Sequence, residues 1–230
     1  MQKIAIVTGG SKGIGVSIVE KLLKEDFYVF TISRSKGELG RLVDIFPEHL
    51  QIVIADLSVK SEVYKSIDEI KGRISHLDIL VNNAGVFMPG KLSEERDHDY
   101  ELQMALNVSA AYYISKAFIP MMKTKKDAYI FNICSTASIM AYENGASYCI
   151  SKHALLGMSR VMRKELMNDG IAVSSILPGA TLTDSWAGSE LPESRFMKTS
   201  SISDALWFAW ANRENCVLEE ILLRPRLGDI

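Results

Sequence analysis

Seven short runs of almost continuous hydrophobic residues alternate along the chain with longer stretches of helical periodicity. The runs are rich in Val and Ile, which is typical of strands buried on both faces of a parallel sheet. They occupy residues 3–9, 28–33, 51–56, 77–83, 128–135, 171–179 and 219–225. Residues 16–25, 59–73 and 147–167 are examples of the helical stretches between them. This alternation predicts an α/β fold with a doubly wound, mostly parallel seven-stranded sheet and helices on both faces.

The pattern runs through the chain without an internal repeat, a low-complexity tract or a Pro/Gly-rich linker. A length of 230 residues suits one α/β domain with a large core. We therefore predict a single domain over residues 1–230. Its least regular part is residues 183–201, TDSWAGSELPESRFMKTSS, and a loop of that length in a compact domain is often functional or mobile.

Composition excludes several classes of partner. Lys and Arg number 26 and Asp and Glu 28, so the formal net charge of -2 gives no general attraction to nucleic acid or to anionic membranes. No run approaches the ~18 apolar residues of a membrane span, and the N-terminal residues lack a signal-peptide pattern. Three scattered cysteines indicate neither a disulfide framework nor a zinc site. A reduced, cytoplasmic protein without a metal is expected.

The first predicted strand ends in TGGSKGIG, residues 8–15, and a helical stretch follows at once. Gly9, Gly13 and Gly15 are placed for a tight turn, close backbone approach to a ligand and close helix packing. The start of the helix offers free N–H groups and a positive dipole end to a pyrophosphate. The spacing is GxxxGxG rather than GxGxxG, yet its position between strand and helix predicts a Rossmann-type dinucleotide site.

The end of the second strand indicates which dinucleotide is bound. NAD-binding sites often have an acidic residue about 20 positions after the glycines, where it binds the ribose 2′-hydroxyl. Here Ser33 and Arg34 stand in that region, so no carboxylate repels a 2′-phosphate and Arg34 can bind one with two N–H groups. Lys12, inside the glycine turn, adds a second cation. Either these cations are solvated surface charges or they select the phosphate, and their chemistry favours NADP(H) over NAD(H).

Polar residues also follow the third and fourth strands. Asp56 either accepts a hydrogen bond from the adenine amino group or caps the helix that follows. Asn82 and Asn83 can tie neighbouring loops together, and Gly85 lets the chain turn near a ligand. All these positions are at carboxyl ends of strands, where open α/β sheets bind ligands.

Tyr148 and Lys152 stand four residues apart in SYCISK, residues 147–152, and so share one face of a helix. A cation beside a phenol stabilises the phenolate and lowers the pKa of the phenol from about 10. Such a tyrosine can donate or accept a proton near neutral pH. Taken alone, however, the pair fits an ordinary amphipathic helix better, because short motifs are often fortuitous.

Considered together, these motifs resemble those of the short-chain dehydrogenases/reductases. The resemblance covers about residues 3–179, and the motifs stand in the order of that family. They are TGGSKGIG at 8–15, NNAG at 82–85, Asn107, Ser135, YCISK at 148–152 and PG at 178–179. The combination is highly specific although each motif alone is not, so the Tyr148–Lys152 pair is interpreted as catalytic.

The resemblance implies roles for four catalytic residues. Tyr148 would protonate the carbonyl oxygen as hydride arrives, or act as the base in the oxidative direction. Lys152 would lower the pKa of the tyrosine and hold the ribose hydroxyls of the nicotinamide. Ser135 would hydrogen-bond the substrate oxygen and stabilise developing alkoxide charge. Asn107 would anchor a water in the proton relay behind Lys152.

The resemblance also completes the cofactor site and suggests an assembly. Pro178 and Gly179 would shape the loop beside the nicotinamide, and Thr183 would bind its carboxamide. The family pattern adds seven further cofactor-binding positions, which are Ser11, Ile14, Leu57, Asn83, Ala84, Gly85 and Thr181. A homodimer or homotetramer is expected, since both are common in the family. The apolar residues of 110–122 then serve either the core or a subunit contact.

The chain departs from the family pattern after Gly179. The segment that normally covers the substrate is short, and the end reads LLRPRLGDI rather than the usual glycine-rich close. This departure leaves the substrate open and indicates a rather open pocket. The apolar side chains of the segment, which either line that pocket or pin the loop down, are Trp186, Leu191, Phe196 and Met197.

The predicted function is an NADP(H)-dependent carbonyl reductase or alcohol dehydrogenase that transfers hydride between nicotinamide and a small ketone or aldehyde. The alternative is a regulator that senses NADP(H) and has little turnover. Such a regulator typically lacks the tyrosine or the lysine, whereas this chain has all four catalytic candidates. A methyltransferase also uses a glycine-rich first loop, but it would leave Tyr148 and Lys152 unexplained.

Three further features receive structural interpretations. RDHDYE at residues 96–101 is surface charge rather than a metal site, because adjacent helix residues point in different directions. His153 projects from a different helix face than Lys152. Cys134 and Cys149 are interpreted as small buried hydrophobic residues, the usual role of free cysteine.

Overall fold

A computed structural model describes residues 2–125 and 127–230, so that Met1 and Lys126 lie outside the described residues. The strands within these ranges are β1 (Lys3–Thr8), β2 (Phe27–Ser33), β3 (Leu50–Ile54), β4 (Ile79–Asn82), β5 (Ala128–Ile133), β6 (Ile171–Pro178) and β7 (Glu220–Leu223). All seven predicted strands are therefore confirmed for the described part of the chain. They pair in parallel throughout, in the order β3-β2-β1-β4-β5-β6-β7.

Helices cover both faces of the sheet, as the alternation of elements predicts. They are α1 (Gly13–Lys24), α2 (Leu39–Ile45), α3 (Lys60–Lys71), α4 (Asp97–Met104), α5 (Ala110–Met122), α6 (Ala146–Leu166) and α7 (Thr199–Ala211). Ala5 and Val7 of β1 pack in a core with α1 and α7, whereas Ile6 between them packs in a core with α3 and α5. The strand alternation thus separates two apolar layers, and the doubly wound Rossmann-type fold is confirmed.

The apolar residues of α5 mostly face the core. Ile114 and Phe118 are fully buried, and Met122 is buried at the end of the helix. Each such side chain contributes about 1.5–3 kcal/mol by leaving water. Tyr112 on the same helix is exposed, so one side of α5 remains accessible in the described chain.

A buried polar network fixes α6 to the middle of the sheet. Asn82 on β4 donates through Nδ2 to Ser115 on α5 and to Asn132 on β5, both at 2.9 Å. Asn132 in turn donates to Ser159 on α6 at 2.9 Å, and Ser175 on β6 donates to the same hydroxyl at 2.7 Å. Because buried hydrogen bonds require defined geometry, this network sets the position of α6 relative to three strands.

Candidate active site

The predicted site residues gather at one edge of the sheet. Because all the described strand pairs are parallel, their carboxyl ends lie on the same side, and each motif follows one of these ends. The glycine turn follows β1, Arg34 follows β2 and Asp56 follows β3. The Asn83 segment follows β4, and Ser135 follows β5. The topology thus brings together residues that are far apart in the sequence.

The glycine turn needs glycine for two different reasons. Gly9 and Gly13 have φ angles of 68° and 57°, which are in the left-handed region that favours glycine. Gly15 needs space instead, since a Cβ atom there would lie 2.1 Å from the carbonyl oxygen of Gly9. The turn leads into α1, whose first turn contains no acidic residue and no side-chain cap. Its N–H groups are therefore suited to an anionic ligand.

Ser11 and Ile14 of the turn have different surroundings. Ser11 is half-buried and accepts a hydrogen bond from the N–H of Glu38 through its carbonyl oxygen, at 2.9 Å. Ile14 is half-buried and packs against the core of α1 and α7. The turn is thereby fastened to the segment after β2 and to the core.

Asn83 joins the glycine turn to the end of β4. Its Nδ2 donates to the carbonyl oxygens of Thr8 and Gly9 at 2.9 and 3.0 Å. In return, the hydroxyl oxygen of Thr8 accepts from the backbone N–H groups of Asn83 and Ala84, both at 3.0 Å. This arrangement confirms that an asparagine ties the two loops together.

The residues after β2 and β3 leave one guanidinium group accessible. Ser33 is buried and donates to the carbonyl oxygen of Ser35 at 2.8 Å, whereas Arg34 is exposed. Leu57, at the start of the next loop, is buried. The positive charge of Arg34 thus stands exposed at the end of β2.

Asp56 organises its own loop rather than capping a helix. Its Oδ1 accepts from the N–H and the hydroxyl of Ser58 at 2.9 and 2.7 Å, while α3 begins after Val59 without a side-chain cap. Partial burial raises the pKa of Asp56, but the Ser58 hydrogen bonds and the charge of Arg34 outweigh it and leave the pKa below its usual value. The helix-capping alternative is therefore wrong, and the contact to adenine stays a prediction.

Tyr148 and Lys152 lie one turn apart on α6, as their spacing predicts. The Nζ atom of Lys152 lies 5.7 Å from the centroid of the Tyr148 ring. The lysine is buried, and its Nζ donates to the carbonyl oxygen of Ile133 at the end of β5, at 2.9 Å. The tyrosine is half-buried. A fixed positive charge thus stands beside a phenol that remains accessible.

Asn107 lies in a π-helical turn, Ala105–Ser109, between α4 and α5. Its Oδ1 accepts from the N–H of Val86 at 2.8 Å, and its Nδ2 donates to Val86 O and to Ser151 Oγ at 3.0 and 2.9 Å. A Cβ atom at Gly85 would lie 3.1 Å from this Oδ1 and 3.5 Å from Nζ of Lys152. Asn107, Gly85 and Lys152 therefore converge on one point.

Ser135 follows β5 and begins a short 3₁₀ turn, Thr136–Ser138. Its Oγ accepts from the N–H of Ala137 at 3.1 Å, and its own N–H donates to Oγ of Ser138 at 3.2 Å. This reciprocal cap holds the hydroxyl oxygen in a defined place at the carboxyl edge of the sheet.

Comparison with protein-family models decides which family the chain represents. Residues 3–193 match the family described as short chain dehydrogenase. The chain belongs to the short-chain dehydrogenase family. The resemblance seen in the motifs is thereby confirmed, and it reaches beyond residue 179 into the irregular segment.

Relatives of this short-chain dehydrogenase are similar over nearly their whole length. A sepiapterin reductase of Chlorobaculum tepidum is 29% identical over 241 residues, which cover 100% of this chain and 99% of the relative. An uncharacterised oxidoreductase of Staphylococcus epidermidis is 25% identical over 224 residues, which cover 97% of both chains.

Solved structures show the same fold. A blue fluorescent protein from a metagenomic library, in complex with NADPH, has a TM-score of 0.87 and 26% identity, covering 97% of this chain and 96% of that one. An alcohol dehydrogenase from the archaeon Thermococcus sibiricus, complexed with 5-hydroxy-NADP, has a TM-score of 0.90 at 22% identity, covering 100% and 99%. The latter likeness concerns the fold alone.

The turn after β6 carries the nicotinamide-side residues of the predicted set. Pro178 is buried and Gly179 half-buried, and the N–H of Gly179 donates to Leu223 O at 2.8 Å. Thr181 is buried and donates to Gly179 O at 3.0 Å. Thr183 lies over the glycine turn, since a Cβ atom at Gly13 would be 3.2 Å from its Cγ2.

The irregular segment is partly anchored in this short-chain dehydrogenase. Phe196 is buried and contacts Trp186, with ring centroids 5.1 Å apart, and Met197 packs against the core of α1 and α7. Leu191 is exposed. Phe196 and Met197 therefore anchor the segment, whereas the side chain of Leu191 is accessible to solvent.

Lys12 has a partner that the sequence did not suggest. Its Nζ lies 2.7 Å from Oδ2 of Asp184, and both side chains are largely exposed. Exposed pairs of this kind contribute little stability, so an anionic ligand at the glycine turn can compete for Lys12. Arg34 is thus a more direct candidate for a 2′-phosphate than Lys12.

Several residues of the site were missed in the sequence. Phe87 lies edge-to-face with the Tyr148 ring, with centroids 5.0 Å apart. Glu95 accepts a hydrogen bond from the hydroxyl of Ser147, the residue before the tyrosine, at 2.5 Å. Ser151 links Asn107 to Tyr148 O. The position of Phe87 just after NNAG was the only available signal, because the other contacts depend on tertiary structure.

The RDHDYE stretch needs a correction at one residue. Asp97, His98 and Glu101 are exposed, as expected, but Asp99 is buried and accepts two hydrogen bonds from Arg96, at 2.9 and 2.8 Å. Among the described residues, no group of three His, Cys, Asp or Glu side chains is placed to hold a metal ion.

The remaining candidates have structural surroundings. His153 contacts the carbonyl oxygen of Cys149 through Nδ1, at 2.8 Å. Cys134 and Cys149 are both buried, which confirms their interpretation. No helix in the described ranges is both long and apolar enough to cross a membrane.

Proposed function

We propose that this short-chain dehydrogenase is an NADP(H)-dependent carbonyl reductase that interconverts a ketone or aldehyde and its alcohol. The observation that carries the proposal is the convergence of Lys152, Asn107 and Gly85 beside Tyr148. Ser135 is held just after the end of β5, the strand whose last carbonyl oxygen binds Lys152. Accessible phenol, fixed cation and fixed hydroxyl are the groups needed to protonate and polarise a carbonyl oxygen.

The residues fit a dinucleotide at this edge of the sheet. The turn from Gly9 to Gly15 has glycine where a side chain would collide, and the N–H groups at the start of α1 suit a pyrophosphate. Arg34 offers a planar donor pair to a 2′-phosphate. Lys152 would bind the ribose hydroxyls of the nicotinamide. When bound, the nicotinamide supplies or receives the hydride.

The protein groups divide the proton chemistry among them. Ser135 would orient the substrate oxygen with a hydrogen bond, and Tyr148 would transfer its proton to the same oxygen. Lys152 stabilises the resulting phenolate through its charge, which its hydrogen bond to Ile133 O holds in place. Asn107 positions the segment of Gly85 and Val86 against this lysine. A cytoplasmic location and a homo-oligomer remain predictions.

The deciding experiment is a panel of ketones and aldehydes assayed with NADPH and NADH through the near-ultraviolet absorbance of the reduced nicotinamide. Tyr148→Phe keeps the ring but removes the transferable proton, so kcat should fall by at least ~100-fold while NADPH still binds. Near-normal turnover in this variant would overturn the role of the tyrosine. Tight NADPH binding by the wild type without turnover of any carbonyl would favour the regulator instead.

Cofactor choice is tested separately. A charge-assisted hydrogen bond contributes about 1.5–3 kcal/mol, so Arg34→Ala should weaken the binding of NADPH by roughly tenfold to a hundredfold. The binding of NADH, which lacks the phosphate, should change little. Ser33→Asp should invert the preference by repelling the phosphate. Arg73→Ala is a matched control, because Arg73 lies just beyond the C-terminal end of α3, opposite the end that follows Asp56. This variant should keep the cofactor selectivity of the wild type. Unchanged selectivity of Arg34→Ala, as measured by kcat/KM, would contradict the assignment.

A further inference from the structure

The chain beyond β7 lies against the turn that follows β6. A Cβ atom at Gly179 would be 3.1 Å from Cδ of Pro225 and 3.3 Å from Oδ1 of Asp229. The N–H of Gly228 donates to Pro225 O at 2.9 Å, so this tail folds back on itself. Pro178 and Gly179 are the residues proposed to flank the nicotinamide. Charged groups of the tail therefore stand at the edge of the reaction site.

Arg224 spans two walls of that site. It forms an ion pair with the carboxylate of Asp229, and its Nη2 lies 4.0 Å from Sδ of Met140. Met140 belongs to the loop after Ser135, where its N–H donates to the carbonyl oxygen of Thr136 at 3.1 Å. The guanidinium group thus lies between the Ser135 loop and the Gly179 turn.

A second guanidinium group, that of Arg195, lies beside Asp229. Arg195, from the irregular segment, donates through Nη2 to the backbone oxygen of Asp229 at 3.4 Å. Its Nε is buried and has no hydrogen-bond partner within the described residues. The Asp229 carboxylate is thus paired with Arg224, Arg195 meets only the backbone oxygen of Asp229, and Nε of Arg195 lacks an acceptor among the described residues. An unpaired donor of this kind is stabilised when an anionic oxygen accepts its hydrogen bond.

Exposed apolar side chains lie beside Tyr148 and beside Arg224. Phe87 contacts the Tyr148 ring and is 38% exposed, and Ile139 and Met140 after the Ser135 turn are 44% and 37% exposed. Tyr142 is also exposed. A ligand that reaches from Tyr148 towards Arg224 would therefore pass apolar side chains before it meets positive charge.

We propose that Arg224 and Arg195 form an anion subsite, so that preferred substrates carry a carboxylate or phosphate beyond an apolar body attached to the carbonyl. This inference rests on the proposed function and deepens it. Asp229 holds Arg224 in place, and the substrate anion competes with it for the guanidinium group. Arginine suits the task because its planar fork matches the oxygens of either anion.

The test compares benzoylpropionate, an aryl ketone with a distant carboxylate, with its neutral methyl ester. With NADPH, kcat/KM of the wild type should be at least ~10-fold higher for the acid, as expected for one charge-assisted hydrogen bond. Arg224→Gln should remove most of this advantage and leave kcat/KM for the ester within about twofold of the wild-type value. Arg226 is an exposed arginine in the same tail, so Arg226→Gln is the matched control and should leave kcat/KM unchanged for both substrates.

Asp229→Asn distinguishes recognition from a merely structural tie. It removes the competing carboxylate, so kcat/KM for the acid should rise, whereas loss of a structural contact would lower kcat/KM for the acid and the ester together. Equal turnover of acid and ester by the wild type, or an equal loss of both in Arg224→Gln, would overturn the subsite.

A binding measurement keeps the inference separate from the proposed function. Phenylbutyrate cannot be reduced, and calorimetry with the NADPH-loaded protein should show that it binds and that Arg224→Gln abolishes this binding. Phenyl phosphate in its place tells whether a phosphate is preferred to a carboxylate. Turnover of neutral ketones without binding of either anion would refute the subsite alone. Anion binding without turnover of any carbonyl would support the subsite and refute the reductase.

Discussion

Gly15 is the position of the glycine turn at which a single methyl group should do most damage. A Cβ atom there would lie 2.1 Å from the oxygen of Gly9 and 2.6 Å from Nδ2 of Asn83. These two atoms form one link, because Nδ2 of Asn83 donates to that oxygen at 3.0 Å. Gly15→Ala therefore has to displace backbone and break the connection between the turn and β4 together.

The magnitude follows from these two effects. Forcing a methyl group into a filled space costs about 1–3 kcal/mol, and loss of the Asn83 hydrogen bond adds about 0.5–1.5 kcal/mol. The preference of helices for Ala over Gly offsets about 0.5–1 kcal/mol. We expect the free energy of unfolding to fall by about 0.5–4 kcal/mol, and NADPH binding to weaken by at least ~10-fold as the turn shifts.

Gly157→Ala supplies the matched control. Gly157 lies on α6, and a Cβ atom there would have nothing within 4 Å apart from the backbone of its own helix. The substitution should raise the free energy of unfolding by about 0.5–1 kcal/mol and leave NADPH binding unchanged. Urea unfolding followed by circular dichroism and a fluorescence titration with NADPH measure both quantities. If Gly15→Ala behaves like Gly157→Ala, the close contact described here is wrong.

Three further predictions concern other parts of the molecule. Burial raises the pKa of the Cys134 thiol to about 11, so its thiolate is scarce at mildly alkaline pH. Iodoacetamide should therefore label the exposed Cys216 first, as monitored by peptide mass spectrometry, and equal labelling rates for the two cysteines would contradict the burial of Cys134. Limited proteolysis should cut within residues 184–200 first, and NADPH with substrate should slow the cut; equal rates would argue against a lid. Glu95→Gln should lower kcat several-fold with little change in the KM for NADPH, because the hydrogen bond to Ser147 orients the start of α6, and Ser147→Ala should add no further loss.

Much of the fold is determined locally along the chain. The runs rich in Val and Ile predict all seven described strands, because a strand buried on both faces needs apolar residues at nearly every position. The turn with Gly9, Gly13 and Gly15 is predicted for the same kind of reason, since only glycine tolerates its backbone angles and contacts. Helical periodicity also predicts that Tyr148 and Lys152 share one face of a helix, and the structure confirms this, whereas their catalytic role rests on the family motifs taken together.

Contacts between distant segments were decided only by the tertiary structure. Nothing in the sequence indicates that Lys12 meets Asp184, that Glu95 holds Ser147, or that Asp99 is buried against Arg96. A charged residue looks the same in sequence whether it is solvated or paired, because its partner is chosen by how the loops pack.

The same reason explains the end of the chain. The sequence shows only that LLRPRLGDI departs from the family close, and it gives no position to Arg224 or Asp229. Parallel pairing of β6 with β7 brings this tail to the carboxyl edge of the sheet and places its charges beside Gly179. The chain by itself thus determined the family and the order of its motifs, while the arrangement of strand ends decided which side chains lie together at the candidate site.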